Sequence, residues 1–559
     1  MAAPIRLASC SSLTLLASTS SSSFIFTKFR SIPNLRFSFS VSTAAISVNP
    51  LFCSRRGKRM AHTVAKATLG LTHPAEIESP KISLATKDID LVDWKGDILA
   101  VGVTEKDMIK DENSKFQNLL LKKLDSQLDG LLSEVSTEED FTGRVGQSTV
   151  LRLSGLGTKR VSLIGLGKPP ITSSSSISAY RSLGESVASS AKASQANNVA
   201  VALASSQDFT PELKLTTASA IATGALLGTY EDNRFKSESK KPSLKSIDFL
   251  NLGGGPELEK KLKYTEYVCS GVILGKELVN APPNVLTPGV LAEEAEKIAS
   301  TYSDVFSAKI LDTEQCKELK MGSFLGVAAA SENPPKFIHL CYKPPTGSIK
   351  TKLALVGKGG GYNIKTGPGC LIELMKFDMG GSAAVLGAAK ALAQIKPPGV
   401  EVHFIVAACE NMISGTGMRP GDILTASNGK TIEIVDLATL TGACIVALGP
   451  SIAGIFTPND ELAKEVVAAS EVAGEKLWRL PMEESYWDSM KSGVADMVNT
   501  GGRQGGSITA ALFLKQFVDE KVEWLHIDMA GPVWNDKKKA ATGFAVPTLV
   551  QWVVANSSS

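Results

Sequence analysis

Short apolar runs recur along the chain from about residue 81 onward, and glycine or polar residues bound each of them. The clearest in the first half are 97–103, 160–166 and 198–204, which are rich in valine, isoleucine and leucine. Runs of this length and composition are typical of strands in a largely parallel, buried sheet. Residues 179–193 lie between two of these runs and have helical spacing. The alternation predicts an α/β fold.

A second set of runs follows a break in the pattern. Residues 235–245 are charged and contain a proline, so they indicate an exposed loop or a domain boundary. Residues 257–280 then have helical spacing and stop at consecutive prolines, which predicts a connecting helix. The second set comprises predicted strands at 336–342, 352–357, 400–408 and 522–528 and a predicted helix at 380–395. We therefore expect an N-terminal α/β domain at 81–245, a linker with a connecting helix at 246–284, and a C-terminal domain at 285–555.

The first 75 residues contain no acidic residue, since Glu76 is the first, but they contain many serines and several arginines and lysines. Such a segment is typical of an organelle transit peptide, which we place at 1–60. A disordered, solvated tail is the alternative. Met60 could also start a shorter form.

Composition narrows the class of protein. The net charge is +3, which gives no bulk basic field for nucleic acid. No segment approaches the ~20 apolar residues that a membrane span needs. The five histidines form no HExxH motif, so a metal site here would be built from carboxylates. The eight cysteines form no CxxC pair and are best interpreted as reduced, buried thiols: Cys10, Cys53, Cys269, Cys316, Cys341, Cys370, Cys409 and Cys444.

Single motifs in the second half are ambiguous. Residues 356–361 form a glycine-rich turn after a predicted strand, but neither phosphate-binding pattern, GxxxxGK[ST] or GxGxxG, is present. Asp378 precedes a Gly-Gly helix start, so it fits a helix cap as well as a ligand. His526 and Asp528 lie in an apolar strand and are interpreted as satisfied structural groups.

The combination of motifs is far more specific. In this order the chain contains VGKG, GGYNIKTGPG, MKFDMGG, ENMISGTGMRPGD, DLATLTGA, VNTGGRQGGSITAALFL and HIDMAGP. From about Asp88 to the C-terminus the chain resembles the leucine aminopeptidase (cytosol aminopeptidase) family, and with its leader it is similar to the plant chloroplast members.

The resemblance implies a smaller N-terminal α/β domain and a C-terminal catalytic domain with a mixed, mostly parallel central sheet. It further implies a homo-hexamer that removes N-terminal leucine and other apolar residues from peptides with a free N-terminus. Two divalent ions, manganese, zinc or magnesium, would activate a water and polarise the peptide carbonyl. By the same resemblance Lys358 and Asp378 are metal ligands and Lys365 is the catalytic lysine. The implied substrate pocket comprises Met375, Thr439, Leu440, Thr441 and Gly442.

Two segments of the family pattern are missing. The family continues VGKG with LTFDS, whose aspartate binds metal, but here Gly359 runs directly into Gly360. The family also has NTDAEGRL and a helix between TIEV and IVDLATLTG, whereas here Thr431 to Asp436 is continuous. The second gap removes an aspartate and a glutamate that bind metal and an arginine that holds a bicarbonate base. We expect it to disrupt the sheet locally, because either the first strand is lost or the second shifts register.

The sequence leaves three candidate functions. The first is a metallo-aminopeptidase, with impaired activity in this form because few ligands remain. The alternative is a non-catalytic relative that acts as an interaction or chaperone-like subunit of a hexamer. Nucleotide binding has only the turn at 357–361 in its favour. A transcript that encodes LTFDS and NTDAEGRL would favour the metallo-aminopeptidase.

Overall fold

The computed structural model describes residues 81–153, 157–168, 174–207, 209–237, 243–359, 372–412, 414–417, 433–438, 440–493, 495–498, 501–502 and 504–557. The predicted transit peptide at 1–60 therefore lies outside the described residues. Within the described part of the chain no helix is long and apolar enough to cross a membrane.

The first half of the described chain forms a six-stranded sheet with the order β1-β6-β5-β2-β4-β3. Neighbouring strands are parallel except for β3 and β4. The strands are β1 Ser83–Lys87, β2 Ile98–Thr104, β3 Ser148–Arg152, β4 Arg160–Gly167, β5 Asn198–Leu203 and β6 Ser246–Leu250. The last of these lies just past the boundary near 245 that the sequence suggests, and it pairs with strands that precede that boundary.

Helices cover both faces of this sheet because its central strands are apolar on both sides. One face packs against α3, α4 and α5, and the other packs against α1 and α2. The helices are α1 Leu119–Gln127, α2 Leu131–Glu138, α3 Ser174–Ser194, α4 Pro211–Thr229 and α5 Pro256–Asn280.

The second half forms an eight-stranded sheet with the order β13-β12-β14-β11-β9-β10-β8-β7. The four central strands, β14, β11, β9 and β10, are mutually parallel, whereas β8, β7 and β12 run against their inner neighbours. The strands are β7 Phe306–Leu311, β8 Lys336–Tyr342, β9 Thr351–Gly359, β10 Val400–Ala408, β11 Glu433–Ala438, β12 Ala453–Phe456, β13 Leu477–Arg479 and β14 Trp524–Asp528. A small hairpin follows, formed by β15 Trp534–Asn535 and β16 Ala540–Ala541.

One face of the eight-stranded sheet is buried under helices α5, α6, α9, α11 and α13. The opposite face of β8 and β10 is less covered, and Cys341 and His403 are only part-buried there. The helices of this half are α6 Pro288–Thr301, α7 Thr313–Glu318, α8 Gly322–Ala328, α9 Gly380–Ile395, α10 Gly442–Leu448, α11 Asp460–Ala473, α12 Gly506–Lys515 and α13 Val546–Ala555. Two 3-10 helices add Ile372–Phe377 and Glu484–Met490.

Helix α5 crosses α9 closely at a pair of glycines. A Cβ on Gly271 would lie 2.3 Å from the carbonyl oxygen of Gly387, and a Cβ on Gly387 would lie 2.6 Å from that of Gly271. No real Cβ atom approaches backbone this closely, so both positions require glycine. The crossing packs the connecting helix tightly against the helix that follows Asp378.

At the second gap, where we expect either the loss of the first strand or a register shift of the second, the structure has a single strand, β11. This strand pairs with β9 on one side and β14 on the other. It begins at Glu433, so the fused run contributes one strand within the described residues. Among the described residues the first strand is thus absent as a separate strand, whereas the apolar run after the gap keeps both of its neighbours.

The two-sheet α/β architecture and the mixed, mostly parallel second sheet confirm the predicted fold class. Three predicted elements, Lys336–Tyr342, Gly380–Ile395 and Val400–Ala408, match the structure residue for residue. The predicted connecting helix is α5. The strand predicted at 522–528 begins two residues late, because the amide of Val522 closes a turn onto the carbonyl of Asp519, 2.9 Å away.

Candidate active site

The C-terminal end of β9 carries Lys358, and its amine forms an ion pair with the carboxylate of Asp378. The two side chains are 44% and 27% exposed. The carboxyl ends of parallel strands are where open α/β sheets bind ligands. The structure therefore brings the two predicted metal ligands together at the expected edge.

Glycine makes this junction possible. A Cβ on Gly357, one residue before Lys358, would lie 2.6 Å from the carbonyl oxygen of Gly381 in the first turn of α9. The hydroxyl of Ser382 also donates a 3.4 Å hydrogen bond to the carbonyl of Gly357. Strand and helix start are thus in direct contact, and this contact sets the separation of Lys358 and Asp378.

The segment before Asp378 is held from a second side. Phe377 stacks on Trp534 with ring centroids 4.0 Å apart, and the amine of Lys376 lies over both rings. That amine also donates a 3.2 Å hydrogen bond to the carbonyl of Asn280 at the end of α5. Burial lowers the pKa of Lys376. These contacts fix the backbone from which Asp378 projects.

Asp378 fits either a helix cap or a metal ligand by its position in the sequence. The residue lies one position before Met379, which is the N-cap residue of α9 and caps the helix with no side-chain hydrogen bond. The amide of Asp378 donates a 3.1 Å hydrogen bond to the carbonyl of Met375. Its carboxylate contacts Lys358 and therefore points toward the end of β9, which is the orientation that a ligand at this edge requires.

Two residues that the sequence analysis missed follow β10 at the same edge. Cys409 lies beside the pair, and burial raises the pKa of its thiol to about 11, with the charges of Lys358 and Asp378 acting in opposite directions. Glu410 accepts hydrogen bonds from the hydroxyl of Ser331, at 2.5 Å, and from the amide of Asn333, at 3.0 and 3.1 Å. Their position directly after a strand parallel to β9 is the signal that could have identified them.

The predicted pocket residues Leu440, Thr441 and Gly442 follow β11, the other neighbour of β9. Asp528, at the end of β14, accepts the Leu440 amide at 3.1 Å and the Thr441 hydroxyl at 2.6 Å. The amide of Ala530 donates to the same carboxylate at 3.2 Å. Asp528 is therefore a hydrogen-bonded structural group, as predicted, and it fixes the backbone of the pocket segment. Burial raises the pKa of its carboxyl group.

Two of the predicted site residues, Lys365 and Thr439, lie outside the described residues. Met375 lies on the 3-10 helix before Asp378 and is part-buried. Lys358 and the segment from Leu440 to Gly442 thus lie at the ends of the neighbouring strands β9 and β11, and Met375 and Asp378 lie on the segment that leads into α9.

The described residues do not fit a centre for two divalent ions. Each ion needs several oxygen or nitrogen ligands. Among the described residues at this edge, Asp378 is paired with Lys358, and Glu410 is engaged by Ser331 and Asn333. One carboxylate and one amine cannot neutralise two adjacent dications, which agrees with the ligands missing from the sequence.

Comparison with known proteins gives the family. The model of the cytosol aminopeptidase family's N-terminal domain matches residues 100–239. The model of its catalytic domain matches in two segments, 273–436 and 433–550. These segments meet where NTDAEGRL is missing from the sequence.

Relatives match over nearly the whole chain. A neutral leucine aminopeptidase, chloroplastic, of Solanum lycopersicum is 71% identical and covers 97% of this chain and 99% of its own. Leucine aminopeptidase 2, chloroplastic, of Arabidopsis thaliana is 68% identical, with 97% and 98% covered. The first alignment spans 575 positions, 16 more than the 559 residues of this chain, so it contains positions that this chain lacks.

A solved structure of a tomato leucine aminopeptidase mutant is 62% identical, with a TM-score of 0.82 over 88% of this chain and 100% of that one. These relatives all bear the name of the peptidase, so they do not favour the non-catalytic alternative. The chain belongs to the cytosol aminopeptidase family, whose peptidases are associated with divalent metals.

Proposed function

We propose that this chain is a metallo-aminopeptidase of the leucine aminopeptidase type, and that the form with this sequence has no activity above background because most of its metal ligands are missing. The observation that carries the proposal is the Lys358–Asp378 pair at the carboxyl edge of the parallel strands. Substrates are peptides with a free N-terminus and an apolar first residue. The proposed pocket comprises Met375, Thr439, Leu440, Thr441 and Gly442.

The residues present supply positioning rather than a complete centre. Asp528 orients the segment that carries Leu440 and Thr441, which forms one wall of the pocket. Lys365 is proposed to assist the carbonyl oxygen of the scissile bond. Manganese, zinc or magnesium is assigned to a form that contains the two missing segments, where the extra carboxylates supply enough charge for two ions.

Restoring the missing segments tests the proposal. We expect hydrolysis of a leucyl amide at background level for the chain as given and for either single restoration. Insertion of LTFDS after Gly359 leaves the larger ligand loss, and insertion of NTDAEGRL with its helix leaves one metal position incomplete. Only the double restoration should recover turnover, because such groups act as a unit.

A Lys365→Ala substitution in the doubly restored chain should then abolish most of the turnover. If the chain as given already matches the doubly restored rate, our interpretation of the gaps is wrong. If the doubly restored and fully folded chain shows no peptidase activity, the proposed function itself is wrong.

Metal content offers an independent measurement. After dialysis, the chain as given should retain fewer than two manganese or zinc ions per subunit at the sheet edge, whereas the doubly restored chain should retain two. Two ions per subunit that depend on Asp378 in the unrestored chain would show that other carboxylates had replaced the missing ligands.

The location and assembly are also proposals. We assign the chain to the chloroplast stroma, because its leader lacks acidic residues and the relatives named above are chloroplastic, with a shorter cytosolic form from Met60. A fluorescent fusion of residues 1–75 that stays in the cytosol would contradict the chloroplast assignment. The family resemblance supports a homo-hexamer, and light scattering after size exclusion would test it.

A further inference from the structure

The part-buried face of the eight-stranded sheet carries a cluster of metal-binding side chains. Single donor atoms from Cys341, Glu401 and His403 lie within 4.8 Å of one another. Among the described residues, these three form the one group of His, Cys, Asp or Glu side chains close enough together to hold a metal ion. The cluster is separate from the sheet edge that carries Lys358. Lys358 pairs with Ala407 on β10, which lies four residues beyond His403. At 3.3 Å per residue, Ala407 and His403 are about 13 Å apart along the strand.

The register of the sheet places the three side chains together. His403 on β10 lies directly opposite Cys341 on the antiparallel strand β8. Glu401 is two residues before His403 and therefore points to the same face. The Nε2 atom of His403 lies 3.0 Å from a carboxylate oxygen of Glu401. Tetrahedral zinc bound to sulfur, nitrogen and oxygen holds its ligand atoms about 3.3–3.8 Å apart, so small side-chain rotations complete the site.

A fourth residue occupies the position of an outer-sphere partner. The Nδ1 atom of His403 lies 2.8 Å from Nε2 of His339, the next residue on the same face of β8. Metal-binding histidines characteristically donate their other ring N–H to an acceptor, which fixes the tautomer and the ring orientation. With Nε2 of His403 facing Glu401 and Nδ1 facing His339, the ring is already oriented in this way.

Two lysines flank Glu401 on the neighbouring strands. The amine of Lys352 on β9 lies 3.4 Å from the carboxylate, and that of Lys343 lies 3.8 Å away. They balance the charge of Glu401 without a metal ion and oppose a cation that binds beside it. Because the carboxylate is buried and the amines are largely exposed, they weaken binding through screened repulsion without blocking the site.

We propose that Cys341, Glu401 and His403 bind one zinc ion, with His339 as outer-sphere partner and a water in the fourth position. A thiolate, an imidazole and a carboxylate form a borderline-soft donor set that suits zinc. The site is independent of the proposed peptidase centre.

Cobalt substitution of the full chain tests the proposal, because a thiolate ligand gives a sulfur-to-cobalt charge-transfer band that oxygen and nitrogen ligands lack. We expect this band on addition of one equivalent of Co²⁺ and its loss in Cys341→Ser. Cys316→Ser, at another free cysteine, should keep the band, and Asp378→Asn should keep it as well. Zinc affinity from competition with a chromophoric chelator should fall about 10- to 100-fold in His339→Phe. It should rise in Lys352→Met.

Three results would overturn the proposal: no charge-transfer band, a band that survives in Cys341→Ser, or a band that disappears in Asp378→Asn. His403→Gln serves as the second variant if Cys341→Ser alters folding. Thermal unfolding of both variants without metal identifies such a change, and the cobalt band must be absent in whichever variant folds as the parent does.

Discussion

The carboxylate of Asp528 holds the pocket segment, and its removal should loosen that segment specifically. In Asp528→Ala the amides of Leu440 and Ala530 and the hydroxyl of Thr441 lose their acceptor. A buried donor left without a partner costs about 1–3 kcal/mol. Since Leu440 and Thr441 are only part-buried, we take the lower end of this range, about 1 kcal/mol, for each of the three donors. We therefore expect Asp528→Ala to lose about 3 kcal/mol in the free energy of unfolding. Asp528→Asn keeps one acceptor oxygen and should cost less than half as much.

The pH dependence follows from the raised pKa of Asp528. Folding favours the protonated carboxyl group, so its contribution to stability is fully present below the unfolded pKa, near 3.8. That contribution is lost as the pH rises through the higher folded pKa. The asparagine variant cannot titrate at this position. We therefore expect the stability difference between wild type and Asp528→Asn to widen as the pH falls from 7 toward 4.

Hydrogen exchange measured by mass spectrometry provides the local assay. About 1.4 kcal/mol at the Leu440 amide corresponds to roughly tenfold faster exchange in Asp528→Ala. Asp488→Ala is the matched control, because Asp488 is an exposed aspartate paired with Lys491. Unchanged exchange at residue 440, or an asparagine variant as unstable as the alanine variant, would refute the reasoning.

Two further predictions concern the helices that support the site. Gly271→Ala should cost about 1–3 kcal/mol or more through overpacking against Gly387, whereas Gly289→Ala, where a Cβ meets nothing nearer than 3.8 Å, should be tolerated. Equal thermal unfolding of these two variants would contradict the glycine crossing. Glu475 accepts both the amide and the hydroxyl of Thr548, at 3.2 and 2.5 Å, in the first turn of α13. Glu475→Ala should therefore cost about 1–2 kcal/mol, with Glu475→Gln intermediate, and an alanine variant as stable as wild type would exclude this capping role.

Much of the fold could be predicted because its elements have strong local signals. Helix α9 is a continuous small-residue helix between Gly380 and the Lys-Pro-Pro that ends it, and β10 is an uninterrupted apolar run. Edge strands such as Ser83–Lys87 were not predicted, because they are short and their burial is irregular. Their pairing depends on a distant strand, β6, that the local sequence does not reveal.

The site was predicted only where a motif names its residues. Lys358 and Asp378 come from the family pattern, and the structure places them in contact. Cys409 and Glu410 were missed, because their importance depends on the register of β10 against β9. The donor set of Cys341 and His403 could not be found either, since 62 residues separate the two side chains and only the antiparallel register brings them together.

The connecting helix limits how this protein can be divided. The first half of α5 packs in the core of the six-stranded sheet, through residues such as Leu258, and the second half packs in the core of the eight-stranded sheet, through residues such as Leu278. The catalytic-domain match begins at residue 273, inside the helix, and Asn280 at its end bonds to Lys376 beside Asp378. Genetic recombination at residue 273 would divide α5 between the two domains. Each domain would then expose the apolar face that the other half of the helix covers. The two domains should therefore be inherited as one unit, and neither should be found freely exchanged with partners from other folds.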